Sequence, residues 1–162
     1  MAILGVLRYP DPRLSKSAHP VEVFGHALEE LVSDMLETMY HHQAIGLSAP
    51  QVNVKKQVVV VDLSENQSSP LVLINPMVSS AAPDHSHFEE GCVSIPGFYL
   101  PIRRSRSIQI EALDAQGHSF SMIAEGWLAA CIQHEIDHLN GQTLMDHATM
   151  KQRSQYRRSA HR

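Results

Sequence analysis

The sequence predicts an α+β fold: a single domain over residues 1–162, with mixed, mostly antiparallel sheets packed around a central helix. Three observations predict it. Two stretches carry apolar residues at helical spacing, β-branched runs lie between them, and the order is helix, several strands, helix. That order favours antiparallel or mixed sheets over a doubly wound parallel sheet, which would alternate strand and helix. A length of 162 residues suits one domain and lets about two-thirds of the unfolded surface be buried.

The first helix is expected at about 26–42, where Leu28, Leu31, Val32, Met35, Leu36 and Met39 share one face. Gly46 and Pro50 break it in AIGLSAPQ. Gln57 to Leu63 and Leu71 to Val78 are β-branched runs that read as buried strands, separated by a Ser-rich loop from Ser64 to Pro70. Ser107–Asp114 and Ser119–Ala124 flank Ala115-Gln116-Gly117, the pattern of a hairpin. A second helix, about 125–140, turns Leu128, Ile132, Ile136 and Leu139 inward, with Gly141 placed to cap it.

Composition narrows the function classes. A hydrophobic share of 43% with 19% charged residues is that of a globular chain. No run approaches the roughly 18 apolar residues of a membrane span, and the opening MAILGVLRYPDPR has no basic leader, so a cytoplasmic location is expected and neither membrane nor DNA partners are. Two cysteines, Cys92 and Cys131, are too few for a disulfide scaffold and read as free thiols, buried or metal-bound. Of eleven histidines, most lack ligand spacing; His41, His42, His85 and His87 are assigned to loops. Charge is uneven. From His147 onward there are five cations (Lys151, Arg153, Arg157, Arg158, Arg162) and no acid, against eight basic and seventeen acidic residues before it. The tail, about 147–162, reads as a frayed terminus able to touch RNA.

The strongest local signal is His134-Glu135-Ile136-Asp137-His138. Residues four apart lie one helical turn apart on one face, so both imidazoles can converge on a cation. Glu135, rotated by about 100°, can reach a metal-bound water without ligating the ion and can shuttle its proton. A catalytic site of this kind takes three protein ligands. In H-E-x-x-H-x-x-G-x-x-H, Gly141 fits but Leu144 holds the last His position, and no Glu follows Glu135. Asp146 and His147 fit neither downstream pattern, so the third ligand is expected upstream. Cys131 lies one turn before His134 and is read as a packing residue beneath the site. Cys92, in EEGCVSIPG and set in a fixed loop, is the favoured ligand.

Three segments together, GLSAPQ (46–51), EGCVS (90–94) and QHEIDHLNG (133–141), resemble the three motifs of the peptide deformylases, in order. YPDPRL and LINP extend the resemblance to about residue 150. It implies removal of formate from the N-formylmethionine of nascent proteins. Cys92, His134 and His138 would bind one divalent ion, with Fe2+ favoured and Zn2+, Ni2+ or Co2+ alternatives. Glu135 would be the acid and base, with the Gln51 amide and the Val93 N–H facing the carbonyl oxygen. Ile45, Phe88, Trp127, Ala130 and Cys131 would line the methionine pocket above His134. Gly46 would admit the substrate backbone as an added strand, and Gly91 joins the substrate-binding set. Three positions depart from the pattern: Ala44 for glycine, Ser48 for alanine, Val93 for leucine. A metallopeptidase of another class and a catalytically silent metal- or peptide-binding paralogue share parts of this pattern. The implied partners are nascent formyl-methionyl chains, with ribosome contact through the basic tail.

Overall fold

In a computed structural model, which describes residues 2–160, the chain opens with a short turn and then forms α1, His26–His41. Two sheets and two further helices follow. A five-stranded sheet has the spatial order β1 (Gly46–Ser48), β2 (Val58–Val61), β3 (Leu71–Ala81), β6 (Ser107–Leu113) and β7 (Ser119–Glu125). A separate hairpin pairs β4 (His85–Cys92) with β5 (Ile95–Ser105). Every ladder is antiparallel. The one parallel contact is an isolated bridge between His19 and Lys56, so "mixed" overstates the parallel content of the described residues.

The valine run of β2 explains the layering. All four residues are buried, and a strand sends alternate side chains to opposite faces. Val58 and Val60 join Leu28, Val32, Met35 and Met39 of α1 in one cluster. Val59 and Val61 join Ala129 and Ile132 of α2 (Gly126–Leu139) in another. The sheet is therefore covered by helices on both sides. The α1 stripe behaves as its spacing predicts, with Leu31 and Leu36 at its partly buried margin.

Helix α2 ends where expected. Gly141 N–H donates to the His138 carbonyl and Gln142 N–H to that of Asp137, the paired bonds of a Schellman cap. The glycine is required twice over, by φ +75° and because a Cβ would stand 2.6 Å from the Ser15 carbonyl oxygen. The cap thus locks the metal-type helix against the N-terminal turn.

Two elements differ from expectation. The segment around Cys92, read as a loop, is β4 and β5 joined at Val93–Ser94, with Cys92 opposite Ile95. His85 and His87 accordingly lie on a strand. The alternation is hidden in sequence because the inward positions include Ser86, Glu90 and Arg104, which are polar. The tail read as frayed is α3, Met150–Ala160. Thr149 and Gln152 exchange a reciprocal pair of capping bonds, Tyr156 stacks edge-on against Tyr9 and Phe98, and Arg153 donates to the Met145 carbonyl. Such a polar helix has no apolar periodicity to announce it, and tertiary contacts hold it. Arg162 lies outside the described residues. No described helix is long and apolar enough to cross a membrane.

Candidate active site

Helix α2 presents its buried face to the β4–β5 hairpin on one side and to β1 on the other, and a cavity of about 460 Å³ lies between them. The ligating atoms of Cys92, His134 and His138 lie within 4.8 Å of one another. Cys92 Sγ is 3.4 Å from His138 Nε2. His134 is held through its other ring nitrogen: Nδ1 lies 3.0 Å from Glu90 Oε1, which turns Nε2 inward. The three donors come from two rigid elements, a strand end and one helical face.

Whether these residues fit a metal can be judged from the donors. One thiolate and two imidazoles form a set that suits Zn2+ and first-row relatives. Electrostatics agree. Burial by itself would lower His134, but Glu135, Cys92 and Glu90 hold it well above the usual range, so this site attracts positive charge. Burial, reinforced by positive His134 and Arg104, pushes His138 well below, which leaves its lone pair available. The Nδ1 of His138 and the Oε1 of Glu135 are buried without a hydrogen-bond partner. The residues fit a divalent cation.

Behind the ligands runs an ion-pair network absent from the sequence reading. Arg104, 5% exposed, donates from Nε and Nη2 to Glu90 at 2.8 and 2.9 Å, and from Nη1 to Asp137 at 2.8 Å. His147 lies 3.1 Å from the same Asp137 oxygen. Burial would raise the Glu90 carboxyl, yet Arg104 and His134 bring it below its usual range. Burial would lower Arg104, but Glu90 and Asp137 more than offset that and raise it. A buried charge is tolerated only when paired in this way. The available signal was the Glu-x-Cys spacing: on a strand, residues two apart share a face.

The first motif is organised around Gln51. Its Oε1 accepts from Ser48 N–H at 2.9 Å and from Ser48 Oγ–H at 3.0 Å. The backbone N–H can only donate, so the amide has one admissible orientation, with Nε2 toward the site. Nε2 lies 3.3 Å from Cys92 Sγ and 3.1 Å from Ser94 Oγ. The Ser48 hydroxyl thus adds a bond to the amide. Ser94 was also missed; nothing short of the fold places it against residue 51.

Glu135 is 2% exposed and lines the cavity, and burial pushes its carboxyl up to about 7 against the pull of positive His134. Gly46 lines the cavity on the sheet's edge strand, and the reason for glycine there is internal as much as external. A Cβ would stand 2.9 Å from both Glu135 Oε2 and Cys131 Sγ. Burial, with Glu135 and Glu90, raises the Cys131 thiol well above its usual range, in keeping with a packing role. Ile45, Gly91, Val93, Trp127, Ala130 and Cys131 all line the cavity. Phe88 does not; it packs edge-on under the Trp127 ring with centroids 5.0 Å apart, so it supports the wall. Gly91 has a Cβ position 2.7 Å from the Tyr99 ring, which lies across it as an unpredicted rim.

Comparison with known proteins agrees with this geometry. The polypeptide deformylase family model matches residues 3–154. A peptide deformylase of Pseudomonas aeruginosa is 49% identical over 158 residues, covering 98% of this chain and 94% of its own. One from Cellvibrio japonicus is 48% identical, covering 97% and 93%. The crystal structure of a peptide deformylase from Legionella pneumophila superposes with a TM-score of 0.93 at 41% identity, covering 97% of this chain and 92% of its own. That from Ehrlichia chaffeensis in complex with actinonin gives 0.94 at 35%, covering 99% and 96%. The chain belongs to the polypeptide deformylase family.

Proposed function

We propose that this chain hydrolyses the formyl group from N-formylmethionine at the start of nascent polypeptides, releasing formate. The observation that carries the reading is the convergence of Cys92, His134 and His138 beside a buried carboxylate, Glu135, in a cavity bordered by a sheet edge. A divalent ion held by those three residues would supply Lewis acidity and make water a nucleophile near neutral pH. Everything else falls to the chain itself. Glu135 takes a proton from the attacking water as the new C–O bond forms at the formyl carbon. Gln51 Nε2–H, steadied by Ser48 and Ser94, and Val93 N–H at the hairpin turn face the oxygen that gains charge. As the C–N bond breaks, Glu135 passes the proton to the departing amine, and formate leaves. Buried at the cavity wall, Glu135 is placed to serve both duties.

Substrate main chain would lie along β1, an edge strand at the end of the sheet order, in the manner of strand addition. The methionine side chain would enter between Ile45, Trp127, Ala130 and Cys131. Resemblance favours Fe2+ in the cell: anaerobic preparation should then give higher specific activity than aerobic handling, and equal activity with stoichiometric zinc in both would refute it. The exposed Lys151, Arg157 and Arg158 of α3 would meet ribosomal RNA in the cytoplasm, and charge reversal at the three that leaves ribosome co-sedimentation unchanged would refute that contact. The deciding assay follows formate and new peptide termini separately on a formyl-methionyl and an unblocked peptide, with Glu135→Ala in parallel. Formate only from the blocked peptide, lost in the variant, is expected. Cleavage of the unblocked peptide would point to a metallopeptidase, and metal binding with no turnover to a silent module.

A further inference from the structure

We propose that a second groove, between the Pro96–Tyr99 segment and α3, receives the downstream main chain of the polypeptide substrate. The inference rests on the proposed function and adds a site to it. The catalytic cavity, about 460 Å³, is of the size that encloses a small molecule, enough for formylmethionine and its first neighbours. The groove, about 770 Å³, shares Arg8 and the whole of Pro96–Tyr99 with that cavity. A chain leaving the cavity over this rim therefore enters the groove.

Three features fit an extended peptide of arbitrary sequence. Gln152, Gln155, Tyr156 and Ser159 line the far wall, at the spacing of one helical face. They offer amides and hydroxyls that donate and accept without selecting charge. Among the described residues, the exposed cations Lys151, Arg157 and Arg158 do not line the groove, and neither does any acid; Arg8 is the one charged side chain there. Along the near wall Pro96, Gly97 and Phe98 have no partner in the β4–β5 register, since they fall between the Cys92–Ile95 and Gly91–Tyr99 pairs. The floor is firm, with the Tyr156 ring centroid 6.2 Å from Tyr9 and 5.6 Å from Phe98. Along α3 the wall runs for about 10 Å at 1.5 Å per residue, the span of about three extended residues.

The test compares formyl-methionyl peptides of three and eight residues on the full chain by formate release. The expected result is a kcat/KM about tenfold higher for the longer peptide. Gln155→Trp, which fills the groove from an exposed helical position, should bring that ratio near one. Gln155→Ala with Ser159→Ala should lower it about threefold, and neither change should alter turnover of the three-residue peptide. A photo-reactive benzophenone at the fifth or sixth residue of the longer peptide should cross-link to α3. Equal rates for both lengths, an unchanged ratio in the Trp variant, or cross-links only elsewhere would overturn the groove while short-peptide turnover stood. No formate from the short peptide would overturn the proposed function, and this inference with it.

Discussion

Replacing Gly46 with alanine should damage catalysis more than stability. Gly46 is a strand residue and is not among the glycines with positive φ (Gly97, Gly117, Gly126, Gly141), so alanine meets no backbone strain. The cost lies in contacts. The new Cβ would stand 2.9 Å from Cys131 Sγ, 2.9 Å from Glu135 Oε2 and 3.2 Å from Glu135 Cδ. Comfortable carbon contacts begin at about 3.5 Å, so the neighbours must retreat by roughly half an ångström. The Glu135 carboxylate ends a flexible side chain and can swing away, which limits the overpacking cost to the low end of about 1–3 kcal/mol. In a domain of this size that is a fall in Tm of about 2–4 °C per kcal/mol. The swing, however, displaces the proposed base, and a misplacement of about 1 Å can cost about 100-fold. Half of it implies a loss in kcat of about tenfold. Formate-release kinetics and calorimetry on the same samples separate the two effects. Adding Cys131→Ala to Gly46→Ala removes the sulfur contact, so Tm should recover and kcat should not. A Gly46→Ala enzyme with kcat within about twofold of the parent would refute the reasoning, as would full recovery of kcat in the double variant.

The remaining predictions concern the groups that hold the site. Glu90→Gln keeps the size of the side chain but weakens its bonds to His134 and Arg104; metal affinity, read by chelator competition, should fall about 10–100-fold, and an unchanged affinity would contradict the orienting role. Ser48→Ala removes one of two bonds to Gln51 Oε1, a loss of about 1 kcal/mol or a few-fold in kcat. Gln51→Leu removes the donor itself and should cost about 100- to 1,000-fold; equal effects of the two would count against this division. In metal-free protein Glu135 has its carboxyl raised from 4.5 to about 7 by burial. Its contribution to stability is then fullest below pH 4.5, where both states are protonated, and is lost as pH rises through about 7. Glu135→Gln should therefore gain stability relative to the parent between those limits, and a pH-independent Tm difference would refute it.

Much of the site is legible in the sequence. A helical period of 3.6 puts His134 and His138 on one face whatever surrounds them, and the absent downstream ligand directs attention to Cys92. The β-branched runs and the α1 stripe declare themselves by periodicity, because burial against a single partner leaves a regular trace. The β4–β5 hairpin left no such trace, since its inward face carries Glu90 and Arg104, charges that can be buried only because they meet each other and His134. The same holds for α3, whose polar sequence becomes a helix by docking Tyr156 on Tyr9 and Phe98.

The local sequence by itself determined the ligand pair, the proposed acid–base residue beside it and the fold class, because these follow from short-range spacing. Tertiary structure alone decided what aims them. Glu90 turns His134 through a partner 44 positions away, and the Gln51 amide meets Ser94 across 43. Gly46 is held to glycine by side chains of a helix some 85 residues later, Cys131 being 85 and Glu135 89 positions on. Such contacts depend on where separate elements cross, and no local period encodes a crossing.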